Sequence, residues 1–303
     1  MGRKEQILRT LDGEYAGYVP VIPVANAFAA KWSGKPMGEI MSNPKLYAQT
    51  MIQCRKAFDY DGLWISGFDQ DSKLDGAKET IKIMKEEDPD QPIFAIVSNP
   101  ASTAAVTMDV GKFYVSMIKE PEVVKKVIQQ VTEPLVESVR ILAETGVDVI
   151  WNPMPTLSGT CISRKLYESI CRESNIYFNE QVKKCGIRLV AHACGKWDDR
   201  FDLLCQEGNH GIHVSECDFQ QVCQKYGYEV CLMGNIPSVP VMLLGTPEEV
   251  YKRAFHDCTT ALAYGTFILS PDCGMPPNVP YENVEAMCRA ARDVADIQNR
   301  GGK

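Results

Sequence analysis

Short, nearly continuous apolar runs alternate with longer amphipathic stretches along the chain. Eight runs read as strands: Val19–Ala25, Gly62–Phe68, Pro92–Val97, Val147–Pro153, Arg188–Cys194, Gly211–Glu216, Glu229–Asn235 and Thr266–Cys273. Most lack a strict apolar–polar alternation, as expected of strands covered on both faces. The stretches between them carry helical periodicity, for example Asn43–Phe58, Ser163–Lys184, Pro247–Tyr264 and Tyr281–Gln298. Start signals stand at Ser42-Asn-Pro, Thr246-Pro-Glu-Glu and Asn278. Gly146, Gly186, Gly208, Gly227 and Gly265 each follow a helical run, at the position where a left-handed cap ends a helix. Asp69–Gln91 is the least regular region, with a short helix over Ala77–Glu87. Thr103–Thr145 is long and should break near Glu120-Pro121.

Eight strands with intervening helices predict an α/β fold, a (β/α)8 TIM barrel. An open doubly wound sheet is the alternative, but the Gly-x-Gly-x-x-Gly turn of its nucleotide-binding form is absent. No linker composition divides residues 1–303, so a single barrel domain with an N-terminal helical extension is expected. The length of 303 residues suits that fold.

The net charge of −7 argues against nucleic acid as a partner, since such binding needs clustered Lys and Arg. No run of about 18 apolar residues is present, so no membrane span is expected. The first ten residues are polar and charged, unlike a signal peptide. Twelve cysteines spread through helices and strands fit a reducing cytoplasm better than a disulfide framework.

In a parallel barrel the chemistry sits where the strands end at their carboxyl side. The fifth predicted strand ends in His192-Ala193-Cys194, the sixth at Glu216 and the eighth in Cys273. Strand residues two apart point the same way, so His192 and Cys194 can face one ion, with Cys273 arriving from across the rim. One nitrogen and two sulfurs suit zinc over magnesium or calcium. Three protein ligands with an exchangeable fourth position form the catalytic pattern. Nearby residues are substrate-contact candidates: Asn152 and Met154 closing the fourth strand and Asn235 closing the seventh, then Asn26, Asp69, Asp71, Ser98 and Asn99. Each could equally cap a helix or form a turn. His213 reads as a structural histidine, Trp151 and Trp197 as packing residues, and the remaining cysteines as small buried hydrophobes.

Several stretches resemble the uroporphyrinogen decarboxylase superfamily: Glu144-Thr-Gly-Val-Asp, Ala191-His-Ala-Cys-Gly, Met233-Gly-Asn-Ile-Pro, Leu269-Ser-Pro-Asp-Cys-Gly-Met-Pro and Pro280-Tyr-Glu-Asn-Val-Glu-Ala-Met. The His-x-Cys…Cys arrangement resembles its zinc branch, the methylcobalamin:coenzyme M methyltransferases and their relatives. The resemblance implies zinc held by His192, Cys194 and Cys273, with an acidic fourth ligand at Glu216 and Asp218 as competitor. It implies catalysis by His192, Cys194 and Cys273, and a cobalamin carried by a partner corrinoid protein. The substrate would be a thiol acceptor or a methyl donor such as an aromatic methyl ether. Two features depart from the family. Asp71–Gln91 is short for the segment between the second and third strands. The first strand region, through Lys31, has no arginine to grip a porphyrinogen carboxylate. A metal-free decarboxylase is the second reading, and a non-catalytic corrinoid- or metal-binding protein the third.

Overall fold

The computed structural model describes residues 1–66 and 71–301, with side chains for 1–66 and 75–300. Asp69 lies outside the described residues, as does the side chain of Asp71. Seven strands form one parallel sheet in chain order: β1 (Leu63–Ile65), β2 (Ile93–Ile96), β3 (Val149–Pro153), β4 (Arg188–Ala193), β5 (Gly211–Val214), β6 (Cys231–Ile236) and β7 (Phe267–Pro271). Each falls inside or overlaps a predicted run.

The run Val19–Ala25 is the exception, because it is not a regular strand. It makes a single parallel bridge, Val21 beside Leu269. The Ile22 amide donates to the Leu269 carbonyl (2.9 Å), and the Leu269 amide to the Pro20 carbonyl (2.8 Å). On the other flank the Asp61 amide donates to the Val21 carbonyl (2.6 Å) and the Val21 amide to Asp61 Oδ2 (2.9 Å). Pro20 and Pro23 bring no amide hydrogen, so no longer ladder can form there.

Period-two geometry separates two apolar layers. One faces inward and contains Ile22, Trp64, Phe94, Val149, Trp151, Val190, Cys231, Met233 and Ile268. Ile7 and Leu11, from the helix Arg3–Leu11, belong to the same cluster. Both are fully buried, each contributing about 1.5–3 kcal/mol by leaving water. The second layer lies between the sheet and the surrounding helices.

Gly146, Gly186 and Gly208 take the left-handed conformation expected at helix ends, whereas Gly227 is right-handed (φ −60°) and Gly265 does not have positive φ. Asn43 accepts from the Leu46 amide and caps Pro44–Phe58. Thr246 and Glu249 form a reciprocal capping box on Pro247–Leu262. The anticipated break separates Val110–Lys119 from Pro121–Thr145. A second break, at Asp109, ends Pro100–Met108, and Asp109 accepts from the Gly111 and Lys112 amides. The irregular region holds a longer helix than expected, Asp71–Glu87.

Candidate metal centre

The ligand atoms of His192, Cys194 and Cys273 all lie within 4.8 Å of one another, the one such cluster among the described residues. His192 is on β4 with its ring turned inward. Trp151 stacks on it at 4.6 Å between centroids and 20° between planes, and the His213 ring sits 4.5 Å away. His192 Nε2 is 3.6 Å from Cys273 Sγ. Zinc bond lengths near 2.1 and 2.3 Å imply a tetrahedral nitrogen–sulfur edge of about 3.5 Å, so the spacing fits that ion. His192 Nδ1 is buried without a hydrogen-bond partner. The ring is therefore set by its aromatic neighbours, rather than by the acceptor that usually orients a metal-binding histidine.

Cys194 reaches the cluster by a turn. β4 ends at Ala193, and the Cys194 amide folds back onto the His192 carbonyl (3.0 Å). Gly195 follows with φ +81°, a conformation that suits glycine. Trp197, fully buried, donates its indole N–H to the Cys194 carbonyl (3.0 Å). Cys273 lies two residues past the end of β7. Its amide donates to Ser238 Oγ (3.2 Å), and Ser238 donates from its amide and hydroxyl to Asp272 (2.9 and 2.5 Å). These bonds tie the Cys273 turn to the segment that follows β6. The Cys273 thiol is pulled well below its ordinary value because the Cys194 S–H and His192 stabilise its thiolate. Cys194 moves up for the complementary reason, its proton being shared with Cys273.

Cys194 and Cys273 open into a cavity of about 690 Å³, walled also by Ser158, Cys161, Glu216, Cys217, Asn235, Ser238 and Arg253. Glu216 lies beyond the end of β5, exposed on this wall and outside the three-residue cluster. Asp218 caps the helix Phe219–Tyr226 through the Gln221 amide and side chain. Asn235 lines the cavity and donates to the Val214 and Ser215 carbonyls. Next to it, Gly234 runs so close to β5 that an added Cβ would sit 2.9 Å from the Val214 oxygen.

Asn152 and Met154 do not face this cavity. Trp151 takes the inward position of β3, so Asn152 points into the helix layer. It donates to the Val97 carbonyl (2.8 Å) and accepts from Asn99 (3.0 Å). Asn99 also donates to Asn175, which donates to Tyr167, whose hydroxyl donates to Glu207. Met154 is buried in the same layer. Asn26 donates to Tyr47 and Ser66, and Asn99 accepts from the Ala101 amide as a helix cap. His213 is structural as read. Its Nδ1 accepts from Trp151 and Nε2 bonds the Pro271 carbonyl. Burial holds it well below the usual imidazole range, so the ring is neutral. All twelve cysteines are free; Cys161 is exposed on the cavity wall, and Cys217 lines the cavity while also packing against the core. Sequence reasoning passed over Ser238, Arg200 and Arg253, and read Trp197 as packing, which its burial bears out, without its bond to the Cys194 carbonyl.

Burial pushes the Glu207 carboxyl up to about 7. Between pH 4.5 and 7 the folded chain keeps a proton that the unfolded chain has released. The stability this provides is complete below pH 4.5 and is lost as pH rises through 7. Glu207→Gln keeps an acceptor for Tyr167 and removes the titration. Its stability relative to the parent should rise between pH 5 and pH 7.5, read from urea midpoints. An unchanged difference would place the titration elsewhere.

Residues 66–294 match the uroporphyrinogen decarboxylase (URO-D) family, and the chain belongs to it. Within that family it is similar to methylcobamide:CoM methyltransferase MtaA of Methanosarcina barkeri, with 29% identity over 227 residues. That match covers 74% of this chain and 65% of the relative, so the chain spans a little under two thirds of the relative's length. It also matches methylcobamide:CoM methyltransferase MtbA of Methanosarcina acetivorans, at 24% identity over 71% of this chain and 62% of that protein. A solved methyltransferase from Methanosarcina mazei shares the fold, with TM-score 0.87, 22% identity and 97% and 98% of the two chains covered. No helix among the described residues is long and apolar enough to cross a membrane.

Proposed function

We propose that this protein is a zinc-dependent methyltransferase. It would move a methyl group between the cobalamin of a partner corrinoid protein and a small molecule activated at His192, Cys194 and Cys273. The observation that carries the reading is the meeting of one nitrogen and two sulfurs at the wall of a cavity large enough for a small substrate. The relatives named above, methylcobamide:CoM methyltransferases, support the corrinoid part. We infer that Val19–Ala25 takes the place of the eighth stave in a single closed barrel, since it bonds toward both β7 and Asp61, two residues before β1. A cytoplasmic setting suits the free thiols.

His192, Cys194 and Cys273 would hold the zinc. When bound, zinc lowers the pKa of a thiol so that it reacts as thiolate at neutral pH. Two cysteinates already neutralise the ion's charge, which favours keeping a substrate thiolate nucleophilic over polarising a methyl ether. Glu216, on the cavity wall, would add negative charge as a fourth ligand. Ser238 and Trp197 hold the two cysteine backbones in place, so the ligand set is formed before substrate arrives. The second reading, a metal-free decarboxylase, gains nothing from this sulfur-rich cluster.

The test is metal analysis of the purified protein, followed by methyl transfer from methylcobalamin to a thiol panel, read by the cobalt absorbance change. About one zinc per chain and metal-dependent demethylation are expected. Full activity in the metal-free protein would sink the proposal, and metal-free turnover of a porphyrinogen would establish the decarboxylase.

A further inference from the structure

Four inward side chains stand on alternate strands: Trp64 on β1, Trp151 on β3, His213 on β5 and Ser270 on β7. Alternate strands supply one layer of side chains inside a parallel barrel. Trp64 packs edge-on against Trp151, with 5.9 Å between ring centroids. Trp151 and His213 are satisfied. The indole N–H of Trp151 donates to His213 Nδ1 (3.0 Å), and His213 Nε2 donates to the Pro271 carbonyl (2.7 Å). Trp64 Nε1 and Ser270 Oγ are not, for both are buried without a partner among the described residues. A third unpaired atom, His192 Nδ1, lies against the same layer, its ring touching those of Trp151 and His213. Trp64 and His192 are 1% exposed and Ser270 0%.

Buried polar atoms left unpaired are rare, and three around one layer call for a shared partner. The aromatic neighbours set the plane of the His192 ring, but they leave its Nδ1 without an acceptor. When Nε2 holds a metal, Nδ1 must carry the proton. His213 cannot receive it, because both of its nitrogens are engaged. The three atoms then offer two N–H donors and one hydroxyl. A water accepts from both N–H groups and donates to the hydroxyl oxygen, making the three bonds typical of a buried water. A halide would accept from the same groups but would bury an unpaired charge.

We infer that one buried water joins His192 Nδ1, Trp64 Nε1 and Ser270 Oγ, and that Ser270 is a positioning residue acting on His192 through it. The water supplies the acceptor that the protein itself does not, and an acceptor of this kind orients a metal-binding histidine. The consequence for metal affinity rests on the proposed function, whereas the water rests on the three unpaired atoms.

Crystal structures of the metal-free and zinc-loaded protein, at a resolution that shows ordered water, test this. One density peak should lie within about 3.2 Å of all three atoms in both forms, with no anomalous signal there in crystals soaked in bromide. Ser270→Ala should lose the peak and weaken zinc about tenfold, read by chelator competition. A merely structural serine would instead lower the urea midpoint and leave the zinc affinity of the folded protein at the parental value. A parent without the shared peak, or with bromide in its place, overturns the inference even if the variant does not fold. So does a folded Ser270→Ala with parental zinc affinity. The peak in a protein that binds no zinc leaves the water standing and removes the proposed function. Zinc-dependent methyl transfer without the peak does the reverse.

Discussion

Cys273→Ser is expected to empty the metal centre. Serine keeps the size of the side chain, but its hydroxyl does not ionise near neutral pH, so the site loses a soft anionic ligand. Loss of an outer partner of a metal ligand costs roughly 10–100-fold in affinity, and loss of a ligand should cost more. Zinc per chain should fall from about one to near zero after dialysis, and methyl transfer with it. Cys194→Ala should do the same, whereas Ser238→Ala, which removes the acceptor for the Cys273 amide, should weaken zinc by about 10–100-fold without abolishing it. Retention of stoichiometric zinc by Cys273→Ser would show that the sulfur is not a ligand.

The strand-end argument located these three residues because carboxyl-terminal strand ends gather in space whatever the loops do. It erred in detail at Cys194. Same-face pleating was expected to align it with His192, yet the strand stops at Ala193 and a tight turn does the work. Asn152 shows where parity needed an anchor. Once Trp151 is known to face inward, Asn152 must face the helices, but the continuous apolar reading of Val147–Pro153 did not say which residues were inside. Asn235 shares the inward parity of Cys231 and Met233, and does line the cavity. Val19–Ala25 looked like a strand because apolarity records burial and not hydrogen bonding. Its two prolines were the visible signal that the ladder would fail. Arg253 was hidden for another reason. It lies on the amphipathic helix Pro247–Leu262, where one more basic residue reads as solvated surface until Asn235 and Asp257 are seen to hold it.

Arg200 should be the position where a substitution most damages the cavity wall without touching the metal ligands. It is fully buried. Its Nη1 donates to the Leu157 carbonyl (3.1 Å) and its Nη2 to the Ile162 carbonyl (2.8 Å), with Asp199 on the remaining edge. The chain it clamps, residues 157–162, includes Ser158, Thr160 and Cys161 of the cavity wall. Arg200→Met fills much of the same volume but leaves two buried carbonyls and Asp199 unpaired. Asp199 is exposed and finds water, but each buried carbonyl left unpaired costs about 1–3 kcal/mol, and the two together are a large part of the roughly 5–15 kcal/mol that a folded protein has. The urea midpoint should fall accordingly. Cys161, already exposed, should react faster with a thiol reagent as its segment loosens. Arg200→Lys should recover only part of the loss, because one ammonium cannot span both carbonyls and the carboxylate. Zinc binding should persist in whatever fraction stays folded, since neither ligand cysteine nor His192 contacts Arg200 by a hydrogen bond. A midpoint shift worth less than about 1 kcal/mol would mean that water satisfies those carbonyls when the guanidinium is gone, and that the wall is held by its apolar contacts instead.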